Sequence, residues 1–283
     1  MLGASGKLGS KIVEEILGRV PAAEIGVSVR DPARASDLKS RGVRVRQGDY
    51  SDPASLKHAW EGAKRVLLVS SNAAATGGNP LEQHANAIRV AQEIGVERVL
   101  YTSQISSSMN SLFPPGRDHA ATEQMLAKSG LAWTALRHGF YADSVLMMNK
   151  RGFDVGRLEG PQDGKVAWVT HDDLAAADAA YLAGTEVVDG PTPPLIGNGV
   201  FDLANIAAIA AEILGRAIVR ETTSETEVRK GAEKAGVPEG TIDVILGYYR
   251  AARAGEFAGV DATLTRILGR QTKSLPEFLR EHL

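Results

Sequence analysis

The sequence predicts an α/β protein, a doubly wound parallel sheet followed by a smaller, mostly helical domain. Three features carry this expectation. Gly3, Gly6 and Gly9 lead into an amphipathic helix at the start of the chain. Between residues 10 and 136 short apolar runs alternate with segments of helical periodicity. After about residue 150 that rhythm gives way to turn-rich stretches such as EGPQDG and DGPTPPLIGNG between helices.

The elements follow in order. Ile12, Val13, Ile16, Leu17 and Val20 recur at helical spacing, and IGVSVR (25–30) reads as a short buried strand. A polar helix over 32–41 comes next, then the strand VRVRQGD from Val43, then a helix opened by Asp52 with Pro53 at its first position. RVLLVSS (65–71), a long helix over 80–95, RVLYTS (98–103), a helix around 117–129 and AWTALR (132–137) continue the alternation. Short strands separated by helices pair in parallel through right-handed crossovers, which places helices on both faces of the sheet. Later helices are expected at 172–184, 203–215, 224–235 and 239–254. Ser224 with Glu227, and Ser274 with Glu277, match the capping-box spacing. The expected domains are 1–150, with room for later segments, and a smaller substrate-binding domain at 151–283.

Composition narrows the function classes. Of 283 residues 43% are apolar and 23% charged, as in a soluble globular chain. A formal charge of −2 gives no general attraction for nucleic acid or an anionic membrane, so a small molecule is the expected partner. With no cysteine there is neither a disulfide framework nor a thiolate metal site, and the six histidines show no His-x-x-x-His pair; no metal site is expected. No apolar run approaches the roughly 20 residues that span a bilayer. The N-terminus lacks the features of a signal peptide, so a cytoplasmic protein is expected. A homodimer stays open.

GASGKLG has the residues of a phosphate cradle. Its glycines allow a tight turn, a close backbone approach to a pyrophosphate and close helix packing, while the helix start offers free N–H groups and a positive dipole end. Gly3, Ser5, Gly6, Lys7, Leu8 and Gly9 are therefore the first candidate cofactor contacts. About twenty residues on, where an acidic residue would hold the NAD ribose, stands Arg30. A guanidinium there suits a 2′-phosphate, so NADP(H) is expected over NAD(H). Asp31 keeps the ribose hydroxyl as an alternative, and Lys7 and Arg34 are secondary phosphate candidates. Asp49 and Tyr50 are expected to flank the adenine, and Ser70 and Ser71 the ribose or phosphates, with helix capping as the other role for Asp49 and Ser71. Such a loop hangs from a buried strand, yet only Met1 and Leu2 precede it. The first strand looks truncated, and about five to seven apolar residues are expected upstream.

GASGKLG, VRDPARA, VRQGDYSDPASL, HANAIRVAQEIGVERVLYTS, HAATEQML and LRHGFYAD, in this order and spacing, resemble the NmrA-like, atypical short-chain dehydrogenase/reductases. The likeness is greatest to the branch of triphenylmethane reductase and NAD(P)H:quinone oxidoreductase. It extends to AGVPEGTIDVI and YYRAARAGEF near the C-terminus, so it spans nearly the whole chain. The resemblance implies a Rossmann domain binding NADP(H), a small C-terminal domain and a substrate cleft between them. The family contains both reductases and regulators that sense dinucleotides without turning them over.

The Tyr-x-x-x-Lys pair of ordinary short-chain dehydrogenases is absent, since the residues four after the six tyrosines are Ala54, Ile105, Val145, Thr185, Ala252 and Arg253. That disfavours a carbonyl–alcohol mechanism. Hydride transfer to a conjugated acceptor needs mainly orientation and one proton. His119 in RDHAATEQM looks like the family's His or Lys in an x-x-(His/Lys)-x-x-x-Glu pattern, with Glu123 one turn on. It is the candidate proton donor, with a surface helix cap as its other reading. Gln104, Thr102 and Ser103 end a strand where substrate or nicotinamide amide would be met, and Gln104 and Tyr141 join His119 as catalytic candidates. His138, Gly139, Phe140 and Tyr141 are expected to wall the nicotinamide; the family more often has Asn where His138 stands. Phe140 and Tyr141 suit stacking on an aromatic substrate or a place in the core. Loops 72–80 and 104–118 are long enough for lids or binding walls, the second with an apolar face of Met109, Leu112 and Phe113. Met147 and Met148 are expected in the core rather than on that wall. The function expected is an NADPH-dependent reductase of a quinone or similar hydrophobic, aromatic acceptor; the alternative is a dinucleotide-sensing regulator.

Overall fold

The chain opens with two residues of extended backbone and turns through its glycine run into α1 (Lys7–Leu17). The computed structural model describes residues 1–283, the side chains of residues 75 and 76 excepted. After α1 come β1 (Gly26–Val29), α2 (Ser36–Ser40), β2 (Arg44–Gln47), α3 (Pro53–Ala59), β3 (Arg65–Leu68), α4 (Pro80–Glu93), β4 (Arg98–Gln104), α5 (Pro114–Lys128) and β5 (Ala132–His138). The rest is β6 (Phe140–Tyr141), α6 (Ala142–Val155), β7 (Arg157–Gly160), β8 (Val166–Val169), α7 (His171–Ala183), β9 (Gly190–Pro191), β10 (Val200–Phe201), α8 (Leu203–Leu214) and β11 (Val219–Thr222). Four helices finish the chain, α9 (Glu225–Lys234), α10 (Glu239–Arg253), α11 (Thr263–Leu268) and α12 (Leu275–His282).

Side chains set several of these helix starts. Asp52 accepts from the N–H groups of Ala54 and Ser55, and Asn79 from Leu81 and Glu82, each just ahead of a proline that needs no partner. Both expected capping boxes form, at Ser224 with Glu227 and at Ser274 with Glu277. Two boundaries differ from expectation. The segment 32–41 divides into a 3₁₀ turn, Pro32–Ala35, and the short α2. The helix expected around 117 starts at Pro114, because Pro114 and Pro115 fit its first turn.

The chain forms two compact units, Met1–Ser103 with Asp118–Arg137 and His171–Pro193, and Gln104–Arg117 with His138–Thr170 and Pro194–Leu283. The units interleave along the sequence, so residue 150 ends neither.

In the first unit β1 pairs in parallel with β2, β3 with β4, and β5 with β9. Leu2 bridges the two parts of the sheet, lying parallel to Ser28 on one side and Leu68 on the other. Ser28 N–H donates to Met1 O at 2.8 Å and Leu2 N–H to Leu67 O at 3.0 Å. The resulting order is β2–β1–Leu2–β3–β4–β5–β9, with two residues in the central slot. Alternation along the strands separates two faces. Leu2, Val66, Leu68, Val99 and Tyr101 share a core with Leu56 and Trp60 near α3, Ala87, Ile88 and Ala91 of α4 and Leu126 of α5. Leu67 and Leu100 point to the other face and are fully buried. There α7 meets β3, and α1 lies along α7. Ala175, Ala176, Ala177, Ala179 and Ala180 make α7 thin enough to be covered on all sides.

The second unit is less purely helical than its sequence suggests. β6 and β10 flank β8, and β11 pairs with β7. Phe113, Phe140, Trp168, Tyr248 and Phe257 centre its core, with Phe140 between 5.0 and 5.7 Å from the other four ring centroids. Among the described residues no helix is long and apolar enough to cross a membrane.

Candidate active site

The glycine run closes on itself. Gly3 has φ +85°, and a Cβ there would lie 2.9 Å from the Cβ of Val69. A Cβ at Gly9 would meet the Gly3 carbonyl oxygen at 2.0 Å, so α1 can approach the loop only because position 9 has no side chain. Gly6 N–H donates to Gly3 O at 3.0 Å. Gly6 also caps α1 without a side chain, leaving the N–H groups of the first turn with no side-chain acceptor at the cap. Ser5, Gly6 and Lys7 are exposed at this turn; the Leu8 side chain is buried, so any contact it makes there comes from its backbone.

Arg30 follows β1 directly, is exposed, and makes no hydrogen bond or ion pair among the described residues. Its neighbour Asp31 accepts from Ala33 N–H at 3.0 Å through one carboxylate oxygen and caps the 3₁₀ turn. Arg34 is exposed on that turn.

Beyond β2, Asp49 holds its own turn, accepting from Ser51 N–H at 2.8 Å, while its N–H donates to Ser55 Oγ. Tyr50 donates its hydroxyl to Val69 O at 2.6 Å, and burial pushes its pKa well up. Ser70 N–H donates to Thr102 Oγ1 at 2.8 Å, which ties the ends of β3 and β4 together. Ser71 N–H donates to His84 Nε2 at 2.9 Å, and Ser71 Oγ to Gln83. Of loop 72–80, the side chains of residues 75 and 76 lie outside the described residues.

His84 escaped the sequence reading. Its ring is buried between Tyr50 and Tyr101, edge-on to both at 5.9 and 5.2 Å. Thr122 Oγ1 donates to Asp118 O, so it accepts from His84 Nδ1 at 2.9 Å. Nδ1 carries the proton, Nε2 accepts, and burial lowers the His84 pKa to about 4. A lone histidine amid helical periodicity gives no signal for this role.

His119 lies in the second turn of α5, half-buried, so it is not the helix cap that was its alternative reading. Its Nδ1 is 2.8 Å from the hydroxyl of Tyr101, which is buried and held far above its ordinary pKa by desolvation. Glu123, one turn on, is occupied from two sides. Arg137 Nη2 and Nε donate to its two oxygens at 2.7 and 3.1 Å, and Ser103 Oγ donates at 2.6 Å. The first unit thus gathers Thr102, Ser103, Tyr101 and His119 with Ser70, Ser71 and His84.

The remaining candidates belong to the second unit. Gln104 Oε1 accepts from Ser106 N–H at 2.8 Å and from Ser106 Oγ. Gly139 has no room for a Cβ, which would lie 2.8 Å from Ala167 O, and its N–H donates to Leu195 O. Phe140 is half-buried and packs against the aromatic core of this unit. Tyr141 caps α6 and lies 6.3 Å from the buried His138 ring. Phe113 is core, while Met109 and Leu112 are exposed. Glu256 accepts from Ser111 Oγ and from Leu112 N–H at 2.8 Å, which ties loop 105–113 to the segment after α10. Met147 and Met148 were expected in the core and are 76% and 40% exposed, because α6 turns Ala142, Val145, Asn149 and Phe153 inward instead.

The sequence signature described as NAD(P)H-binding matches residues 3–183. A quinone oxidoreductase 2 from Escherichia coli (strain K12) is 34% identical, the alignment covering 97% of this chain and 95% of that one. The chain belongs to the NmrA-like, atypical short-chain dehydrogenase/reductases. The crystal structure of the Escherichia coli NADPH-dependent quinone oxidoreductase with NADPH superposes with a TM-score of 0.91, covering 99% of this chain and 98% of that one. A Citrobacter sp. triphenylmethane reductase complexed with NADP(H) gives 0.89 at 30% identity, covering 100% and 99%. An NmrA-like family domain-containing oxidoreductase from Aspergillus flavus is 27% identical over 95% of this chain and 89% of its own length. As a member of this family the chain is an NAD(P)H-dependent reductase with a Rossmann-type fold. Its own geometry fits the cofactor: two glycines without room for a side chain and a helix start without a side-chain cap suit a pyrophosphate.

Proposed function

We propose that this reductase uses NADPH in preference to NADH and reduces a quinone or similarly conjugated, hydrophobic acceptor. One observation carries the cofactor preference: Arg30 stands uncommitted at the end of β1, while the carboxylate beside it is already engaged as a cap. A planar cation at that place matches a 2′-phosphate. The acceptor class rests on relatives named for quinones and triphenylmethane dyes.

On this reading the backbone of Gly3, Ser5, Gly6, Lys7, Leu8 and Gly9 would hold the pyrophosphate, with Lys7 and Arg34 as outer cations. Asp49 and Tyr50 would flank the adenine, and Ser70 and Ser71 the ribose. Thr102, Ser103, His119, His138, Gly139, Phe140 and Tyr141 would border the nicotinamide, Gly139 and Phe140 through backbone and shape. Bound NADPH supplies a hydride, so that quinone, NADPH and one proton become hydroquinone and NADP⁺.

The chain supplies the proton and the orientation. On this reading the Tyr101 hydroxyl, kept protonated by burial, would donate to His119 Nδ1 and leave the ring proton on Nε2. Nε2–H is then the donor to the acceptor oxygen.

A quinone panel followed by loss of NADPH absorbance tests the reading. Turnover is expected, with kcat roughly 100-fold or more lower in His119→Ala. NADPH binding without oxidation by any quinone or dye overturns it and favours a dinucleotide-sensing regulator.

A further inference from the structure

Gln104 is 9% exposed at the last position of β4, and its amide is only half used. The Ser106 backbone N–H can only donate, so the group it meets at 2.8 Å is the amide oxygen, and Ser106 Oγ reinforces it. The amide nitrogen therefore faces the other way. Nε2 is buried and has no hydrogen-bond partner among the described residues, and the same holds for Ser107 Oγ three residues on. Ser107 N–H donates to Gln104 O at 3.0 Å and closes the turn; Ile105 N–H donates to His138 O at 2.9 Å and anchors it. Buried polar groups without partners are costly.

We propose that the turn Gln104–Ser107 is the subsite for a carbonyl oxygen of the hydride acceptor, and that it favours oxygen-bearing acceptors such as quinones over conjugated cations without one. The inference rests on the proposed function and deepens it. An NH₂ group has donors and no lone pair to offer, so its ligand must bring lone pairs. Open parallel sheets bind ligands beyond the carboxyl ends of their strands, where Gln104 stands. Hydride arrival at the conjugated ring builds negative charge on the carbonyl oxygen, so fixed donors grip it more tightly as the reaction proceeds. The nicotinamide carboxamide carries the same kind of oxygen, and the experiment separates the two sources.

Wild type, Gln104→Leu and Gln104→Glu are compared in kcat/KM for a quinone (menadione) and for a triphenylmethane cation without a carbonyl (crystal violet), beside NADPH affinity by fluorescence titration. In both variants quinone kcat/KM is expected to fall about tenfold further than that for the dye, the loss of one good hydrogen bond. NADPH affinity should change much less. A second readout needs no turnover. In ¹⁵N-labelled protein with NADP⁺, the Gln104 side-chain NH₂ signals, assigned from their loss in Gln104→Leu, should move on adding menadione and stay on adding crystal violet.

Equal losses for both acceptors with unmoved NH₂ signals overturn the subsite. So does a loss concentrated in NADPH affinity, which gives the amide to the carboxamide. If wild type oxidises NADPH with no quinone while the NH₂ signals still respond to menadione, the proposed function fails and the carbonyl subsite stands.

Discussion

Arg30 and Asp31 are adjacent and both exposed; one Asp31 oxygen caps the 3₁₀ turn, and the Arg30 guanidinium has no partner among the described residues. The sequence leaves both as ribose-end candidates; the structure uses the Asp31 carboxylate on Ala33 N–H and leaves the Arg30 guanidinium exposed. Arg30→Ala should therefore lower the preference for NADPH over NADH by about tenfold, the scale of one charge-assisted bond. Fluorescence titration with both nucleotides measures it, and equal weakening of the two would remove Arg30 from the 2′-phosphate. His84 gives a pH prediction. Its folded pKa is about 4, below the ordinary 6.5, because burial disfavours the charged ring. The unfolded chain then holds more protons between those values, so stability is whole above pH 6.5 and declines as pH falls towards 4. The full loss is about 3 kcal/mol. Urea unfolding at a series of pH values should show a shallower decline between pH 6.5 and 5 in His84→Gln than in wild type, and parallel curves would refute the assignment. Arg30 stands out in the sequence because a Rossmann unit fixes how far the ribose end lies beyond the glycines, and the structure puts it directly after β1. His84, Tyr101 and Arg137 do not, since their partners Ser71, His119 and Glu123 are brought near by tertiary folding alone.

At the scale of elements, local chemistry decided what could be read. Asp52 with Pro53, Ser224 with Glu227 and Ser274 with Glu277 carry their helix starts in three or four neighbouring residues, and each forms. The helix α6 was missed because its inward positions Ala142, Val145, Asn149 and Phe153 mix small, polar and aromatic residues, while the apolar Met147 and Met148 face outward. The strands β7, β8, β10 and β11 have two to four residues each, too short for alternation to show. Their pairing is set across distances of 28 residues or more, as between Trp168 and Phe140.

At the scale of the molecule, the first unit's sheet has an unusual centre. Two residues, Met1 and Leu2, occupy the slot between β1 and β3, joined to them by the Ser28-to-Met1 and Leu2-to-Leu67 backbone bonds. The proposed cofactor contacts lie on both sides of that slot, Arg30 after β1, Ser70 and Ser71 after β3, with the glycine loop between. A dinucleotide holding all three would fasten the two parts of the sheet to each other. Binding to the folded chain alone stabilises it by about 2.7 kcal/mol at a ligand concentration of about 100 Kd. For a chain of this size that raises Tm by about 5 °C. Gly9→Ala brings a Cβ to within 2.0 Å of Gly3 O, so the loop must shift and the cradle with it. Scanning calorimetry of wild type and Gly9→Ala, with circular dichroism to confirm that both are folded, should show the NADPH-induced rise in wild type and little of it in the variant. A smaller rise with NADH in wild type belongs to the same expectation. An equal NADPH-induced rise in the two proteins would mean that the glycine loop is not where the cofactor's phosphates bind.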